Sequence, residues 1–244
     1  MNTRIQQLLN AVDILASETD KLSFKGKVFH TYNPLIYARE THNDYLNKYG
    51  YGKKRVLFLG MNPGPWGMAQ TGIPFGEITY SKNWLKIKGS IFQPKESHPK
   101  RPIEGWKCPR SEVSGRRLWG LMEERYTTAK AFFKDHYIEN YCPLVFMEEG
   151  GKNITPDKLP KNEREPLIEI CDDHLRKVIK ITEPEFLVGI GKYAEKNFKR
   201  VVETMGNKEK YKISAILHPS PANPHANRGW SEAVTKQLIE QGIW

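Results

Sequence analysis

Two loops rich in glycine and proline carry most of the side chains in this sequence that could do chemistry. The first, GMNPGPWGMAQTGIPFG (residues 60–76), holds five glycines and three prolines in seventeen residues. The second is HPSPANPHANRGW (residues 218–230). Such compositions predict stiff loops rather than helix or strand interiors. Neither loop contains the P-loop pattern or the GxGxxG pattern, so nucleotide-phosphate binding is disfavoured.

Each loop follows a short apolar run that is typical of a buried strand. These runs are RVLFLG (55–60), EFLVGI (185–190) and KISAIL (212–217), with a fourth candidate in the pair YIENY and CPLVFM (137–147). Ligands bind beyond the carboxyl ends of such strands, so two stiff loops at one sheet edge indicate a site. Either loop alone could be an ordinary connector.

Helical periodicity appears between the strand candidates. Helices are predicted at 4–16, 112–124, 127–135, 162–180, 192–204 and 229–241. Strands alternating with helices indicate an α/β fold, a three-layer sandwich in which helices flank a central, mostly parallel sheet. We expect a single domain over residues 1–244 with an N-terminal helix. The stretch from about 17 to 54 is polar and aromatic, and it predicts no particular role.

Composition restricts the possible partners. A net charge of +10 and a pI near 9.4 favour a polyanion such as nucleic acid. Three widely spaced cysteines without a CxxC pair argue against disulfides and zinc ribbons. The N-terminus is too polar for a signal peptide, and no apolar run could span a membrane. We expect an intracellular protein without metal or cofactor, in the cytoplasm or nucleoid of a bacterium or the nucleus of a eukaryote.

The two loops together carry a family resemblance. GMNPGP, GMAQTGxPFG and HPSPxNPxANxGW resemble the single-strand-selective monofunctional uracil-DNA glycosylases, a branch of the uracil-DNA glycosylase superfamily. The similarity extends to HPKRP (98–102), SEVSG (111–115), NxCPL (140–144), GxNxTP (151–156) and ICD (170–172). It covers residues from about 55 to 230, and it implies the uracil-DNA glycosylase fold.

The resemblance implies a role for each matching residue. Asn62 would position the attacking water, and His218 would face uracil O2. Phe75 would stack on the flipped base, and Asn140 would read the uracil edge. Met61 and Gly64 would line the pocket, with Met68 near C5 of the pyrimidine. Two segments would contact DNA: the loop from 150 to about 164, with Gly151, Lys152 and Asn153, and a wedge over 220–228, with Ser220, Pro221, Ala222, Asn223 and Arg228.

These residue types suit hydrolysis of a glycosidic bond. An enzyme that acts on a base in DNA must first extrude it from the stack. An amide can accept from N3–H and donate to O4 of uracil, a pattern that cytosine reverses. Asn62 cannot titrate, so it can orient water without acting as a strong base, and we expect slower excision than in relatives with aspartate there. The expected partner is DNA, single- or double-stranded, bound by a monomer.

Two positions depart from the family pattern. Trp66 stands where phenylalanine is common, and Ala222 stands where animal members carry arginine in the wedge. A separate possibility is VGIGKYAEK (188–196), which mimics the hairpin of helix-hairpin-helix modules, although EFLVGI favours a strand-to-helix turn. The alternative function is a catalytically silent binder of single-stranded nucleic acid. The remaining histidines, which lack metal-ligand spacing, are interpreted as surface or structural groups (His30, His42, His98, His136, His174 and His225).

Overall fold

The structure is a computed structural model that describes residues 3–206 and 208–244. Within them the chain forms the strands β1 (His30–Tyr32), β2 (Val56–Gly60), β3 (His136–Asn140), β4 (Val145–Met147), β5 (Asn153–Ile154), β6 (Phe186–Ile190) and β7 (Lys212–Ile216). The α-helices are α1 (Thr3–Asp20), α2 (Pro34–Tyr37), α3 (Arg39–Tyr49), α4 (Met68–Thr71), α5 (Ile78–Asn83), α6 (Val113–Tyr126), α7 (Ala129–Asp135), α8 (Lys161–Thr182), α9 (Lys192–Glu203) and α10 (Trp230–Glu240).

The central layer is a parallel sheet in the order β3-β2-β6-β7. Every residue of β2, β3 and β6 is buried. The inner strands β2 and β6 have strand neighbours on both edges, and helices cover the faces of the sheet. The edge strand β7 is more exposed. This arrangement confirms the predicted α/β fold with a parallel sheet flanked by helices.

Strand register places the chemical residues at one edge of the sheet. Gly60 at the end of β2 lies beside Asn140 at the end of β3. Ile190 at the end of β6 lies beside Ile216 at the end of β7. The loops that follow these strands therefore emerge together, as the parallel arrangement requires.

The helices pack around this sheet much as predicted. Helix α9 packs on β6 and β7, α8 packs on α9, and α1 packs on α8. Near the C-terminal end of the chain, α10 contacts both β7 and α6. The predicted helices are all present, most with boundaries shifted by one or two residues; α1 continues four residues beyond the predicted end. Along the described residues, none of the helices has the length and apolar character needed to cross a membrane.

Three local expectations need correction. The polar stretch from 17 to 54 contains β1, α2 and α3. The buried face of α3 is mostly polar and aromatic, with one aliphatic side chain, Leu46, among Thr41, His42, Tyr45 and Tyr49. Residues 137–147 do not form one strand pair: β3 joins the parallel sheet, whereas β4 forms a separate antiparallel sheet with β1 and β5. The first loop also contains one helical turn, α4, which ends at Gly72 in the left-handed conformation.

The segment 188–196 is a strand-to-helix turn and not a helix-hairpin-helix module. Strand β6 ends at Ile190, Gly191 has a φ of 92°, and α9 begins at Lys192. Gly191 also packs against His218, where an added Cβ would lie 3.2 Å from the histidine Cβ. The glycine therefore serves both the turn and the placement of the histidine.

Candidate active site

A cavity of about 320 Å³ opens at the carboxyl ends of the parallel strands. It brings together eight of the side chains that the sequence had singled out. The residues around it are Met61, Asn62, Pro63, Gly64, Phe75, Glu112, Ser114, Asn140, Asn153, Thr155, His218 and Ser220. The two glycine- and proline-rich loops thus meet across one space, although 141 residues lie between them in the sequence.

Asn140 lies at the bottom of the cavity wall with an unused acceptor. Its side chain is buried, and its Nδ2 donates to the Met68 sulfur at 3.2 Å. Its Oδ1 is buried and has no hydrogen-bond partner among the described residues. A buried amide oxygen without a partner costs free energy, so the site is suited to a ligand that donates a hydrogen bond there.

Gly60 leaves the room that Asn140 and Phe75 occupy. A Cβ at Gly60 would lie 2.2 Å from Asn140 Oδ1 and 2.6 Å from Phe75 Cε2. Phe75 itself is 7% exposed and adopts a left-handed φ of 52°, which is uncommon for a bulky residue. Its carbonyl accepts hydrogen bonds from Trp119 Nε1 and from the Glu77 amide, at 2.9 and 2.7 Å, and these hold the strained backbone.

His218 is prepared as a neutral hydrogen-bond donor. Burial lowers the pKa of His218 to about 4, so the ring is uncharged at neutral pH. Its Nδ1 accepts from the Ser220 amide at 3.1 Å, which assigns the ring proton to Nε2. The histidine lines the cavity, so this Nε2–H is the donor available to a ligand there.

Asn62 is oriented by two backbone carbonyls. Its Nδ2 points to the carbonyls of Pro63 and Leu144, each at 3.4 Å. These long contacts occupy the donor end of the amide and leave Oδ1 as the available acceptor of a residue that lines the cavity. An amide that accepts and does not titrate can orient a water molecule without removing its proton.

Glu112 is one of the site residues that sequence reasoning missed. Burial, and then the neighbouring Glu77 carboxylate, raise the pKa of Glu112 to about 7. A Cβ at Gly64 or Gly67 would lie 2.1 or 1.9 Å from its carboxyl oxygens, so the carboxyl fills the space that these glycines leave. Its Oε2 has no partner among the described residues.

Segment similarity could have pointed to the missed residues. Glu112 and Ser114 belong to SEVSG (111–115), and Thr155 belongs to GxNxTP (151–156). Both segments match the family pattern, and this match is the signal that marks Glu112, Ser114 and Thr155. A glutamate next to a helix start commonly caps the helix, but the Glu112 side chain makes no capping hydrogen bond to α6.

Met68 does not line the cavity. It is 2% exposed and lies behind Asn140, where its sulfur accepts from the amide. The predicted position near C5 of a bound pyrimidine therefore stays a prediction, and the contact in the structure is with the amide that would read the base.

Two of the predicted DNA-contacting residues line the cavity and the others do not. Asn153 donates to the Pro63 carbonyl at 3.3 Å and lines the cavity, as does Ser220. The others lie outside it. Gly151 packs on Arg101, and Asn223 accepts from the His225 amide at 3.1 Å. The remaining residues are exposed: Lys152, Pro221, Ala222 and Arg228.

The second loop is held by a residue from α6. Arg117 donates to the Pro219 carbonyl at 2.9 Å and to Asn227 Oδ1 at 2.8 Å. These hydrogen bonds hold the loop on both sides of its exposed tip at Ala222. At the first loop, the ring of Trp66 packs with the guanidinium groups of Arg101 and Arg110, 5.2 and 4.7 Å from its centroid.

Most of the other histidines lie away from this site. His42, His136 and His174 are buried, and burial lowers the pKa of each to about 4. Over residues 3–206 and 208–244, no three His, Cys, Asp or Glu side chains are grouped as metal ligands would be.

Comparison with known proteins gives a consistent result. The family model described as the uracil DNA glycosylase superfamily matches residues 47–239. The single-strand selective monofunctional uracil-DNA glycosylase of Rattus norvegicus is 43% identical over 229 residues, 94% of this chain and 82% of the relative. The Mus musculus protein of that name is 42% identical, over 94% and 81%. The crystal structure of wild-type Pedobacter heparinus SMUG2 aligns with a TM-score of 0.62, at 21% identity and over 94% of this chain and 96% of that one, which supports the fold alone.

Proposed function

This chain belongs to the uracil DNA glycosylase superfamily, and we propose that it releases uracil from DNA by hydrolysing the N-glycosidic bond. The product is an abasic site in an uncut strand. The observation that carries the proposal is the meeting of Asn62, Phe75, Asn140 and His218 around one cavity at the carboxyl edge of the sheet. An amide reader, an aromatic platform, a neutral donor and a water-orienting amide are the parts that the reaction needs.

Recognition begins when the uridine leaves the stack and its base enters the cavity. Stacking on Phe75 recovers part of the unstacking cost, at about 1–3 kcal/mol for a base on an aromatic ring. The unpartnered Oδ1 of Asn140 accepts from N3–H, and its Nδ2 turns from the Met68 sulfur to O4. Cytosine has no proton on N3 and presents a donor at its C4 substituent, so it leaves both ends of the amide unsatisfied.

The bond between C1′ and N1 then breaks, and its electron pair leaves with the base. Negative charge spreads from N1 onto O2, where the Nε2–H of His218 donates. A preorganised donor of this kind contributes about 3–4 kcal/mol to the transition state. Because burial holds the pKa of His218 near 4, the histidine stabilises this charge as a neutral donor at neutral pH.

Water completes the reaction at C1′. Asn62 orients it through Oδ1, and the proton that the water loses goes to solvent because an amide cannot take it. Bond cleavage therefore runs ahead of water attack. No lysine is among the described residues that line the cavity, and this supports hydrolysis over a Schiff-base route with strand cleavage.

Several finer properties belong to the same proposal. The exposed loop at 220–228 and the basic surplus suit both single-stranded and double-stranded DNA. We place the enzyme inside the cell, where its substrate is, and expect it to act as a monomer without a cofactor. Excision of 5-modified uracils or deaminated purines depends on the room beside Met61, Gly64 and Glu112.

The test is release of free uracil from a uracil-containing oligonucleotide in the presence of EDTA. We expect wild-type protein to release it and to leave an alkali-labile but uncut strand. His218→Ala should slow single-turnover release by about two to three orders of magnitude. Tight binding of the oligonucleotide without release by either protein would instead establish the silent binder of single-stranded nucleic acid.

A further inference from the structure

A second, larger cavity adjoins the active site. Its volume is about 630 Å³, and it shares the lining residues Asn153 and Thr155 with the uracil cavity. The two spaces therefore meet at the β5 segment of the chain. We call this second space the lysine groove, after Lys25, Lys27, Lys152 and Lys158, which all line it.

The lysine groove combines an apolar floor with a basic rim. Val28, Ile154 and Leu159 line it and are buried. The four lysines are exposed, and the groove contains one opposing carboxylate, Glu148. An apolar floor between cations matches a nucleic-acid strand, whose bases are apolar on their faces and whose backbone is anionic.

The charge of this rim is only partly compensated. Within residues 3–206 and 208–244, Lys25, Lys27 and Lys152 take part in no ion pair. Lys158 contacts only its neighbour Asp157, at 3.3 Å, an exposed pair of little energetic weight. These cations thus remain available to phosphates.

The backbone that carries the rim is anchored. The Lys25 amide donates to Glu163 Oε1 at 2.9 Å, and the Phe29 amide donates to the Met147 carbonyl at 2.8 Å. The Glu148 amide donates to the Lys152 carbonyl at 2.9 Å, which closes the hairpin between β4 and β5. Lys25 and Lys27 precede the region matched by the family model, which begins at residue 47.

We propose that the lysine groove binds the DNA strand that continues on one side of the flipped uridine. Phosphates lie at Lys25, Lys27 and Lys158, and a base lies on the apolar floor. The inference rests on the proposed function, because it takes the adjoining cavity as the place of the flipped base. It gives residues 25–28 a role in binding a single strand. It also implies that affinity depends on how many nucleotides continue on one side of the uridine.

The test compares two double variants that remove equal charge. Lys25→Gln with Lys27→Gln alters the groove. Lys130→Gln with Lys134→Gln alters exposed lysines on α7. This helix leads directly into β3, so it meets the sheet at the amino end of that strand, whereas the active site lies at the carboxyl ends. Affinity is measured for a single-stranded oligonucleotide with a noncleavable abasic analogue, between 50 and 500 mM salt. Thermal unfolding checks that each variant folds.

We expect the groove variant to bind about 25-fold more weakly near 0.1 M salt, because each single-strand phosphate contact adds about 0.7 to the salt slope. The slope of log K against log salt should become shallower by about 1.4, and the α7 variant should keep the wild-type slope. Two truncated oligonucleotides, with one nucleotide left on the 5′ or on the 3′ side, locate the strand. The groove variant should match wild type on one of them only.

Equal affinity and equal slope for the groove variant and wild type would overturn the inference, as would equal losses in both double variants. The proposed function fails separately. If wild-type protein releases no uracil but the groove variant loses affinity, the groove binds DNA and the catalytic proposal is wrong. If wild type releases uracil and the groove variant binds normally, only the groove assignment is wrong.

Discussion

Gly60→Ala tests whether the residues at the floor of the cavity read the base. Gly60 lies in strand β2, so its backbone accepts an alanine, and the only obstacle is space. The added Cβ would lie 2.2 Å from Asn140 Oδ1 and 2.6 Å from Phe75 Cε2, whereas real Cβ contacts essentially never fall below 3.0 Å. The methyl group therefore pushes on the proposed reader and the proposed stacking platform together.

The size of the effect follows from this geometry. The Asn140 carboxamide must move by about 1 Å, and a misplacement of that size costs about a hundredfold in rate. Crowding a packed interior costs about 1–3 kcal/mol of stability, which a domain of this size tolerates. We therefore expect a folded protein that binds DNA but releases uracil about a hundred times more slowly.

The assay is single-turnover release of uracil at saturating enzyme, with thermal unfolding measured in parallel. Gly150→Ala is the matched control, because an added Cβ there meets nothing within 4 Å and the residue has no left-handed φ. Saturating enzyme removes any effect that this predicted DNA-contacting loop has on affinity. It should keep the wild-type rate. A rate within about threefold of wild type in folded Gly60→Ala would refute the assignment of Asn140 and Phe75 as the groups that position the base.

Three further predictions use other parts of the site. Asn140→Asp should slow uracil release by about tenfold to a hundredfold, because a carboxylate cannot donate to O4; unchanged release would make Asn140 structural. Folding raises the pKa of Glu112 from 4.5 to about 7, so the folded state takes up a proton in this range and loses stability as the pH rises. Glu112→Gln should therefore flatten the loss of stability between pH 5 and 8 by roughly 2–3 kcal/mol, measured by urea unfolding. Identical pH profiles in both proteins would contradict the burial of Glu112 as an acid. Wild type should act fastest on single strands, then U·G, then U·A, since Ala222 cannot fill the gap in a duplex, and Ala222→Arg should raise the duplex rates; equal rates on all three substrates in both proteins would argue against a wedge.

Much of this protein could be read from local patterns. The apolar runs of β2, β6 and β7 and the periodicity of α6, α8, α9 and α10 predict a parallel sheet with helices, because buried strands and amphipathic helices follow short-range rules. Helix α3 was not predicted, since its buried face contains His42, Tyr45 and other polar or aromatic residues and one aliphatic side chain, Leu46. Tertiary packing buries this face, and the hydrophobicity of the sequence shows no helical period that would predict its burial.

The sequence by itself determined which residues could do chemistry: a glycine- and proline-rich loop with Asn62 and Phe75, an asparagine after a strand, and His218 at the head of a second loop. Only the tertiary structure decided what surrounds them. It placed Met68 behind Asn140, seated the Glu112 carboxyl against Gly64 and Gly67, and joined Lys25 and Lys27 to a groove beside the cavity. The reason is physical: residue type sets what a side chain can donate, accept or stack on, whereas burial, pKa and partners depend on atoms that are distant in the chain.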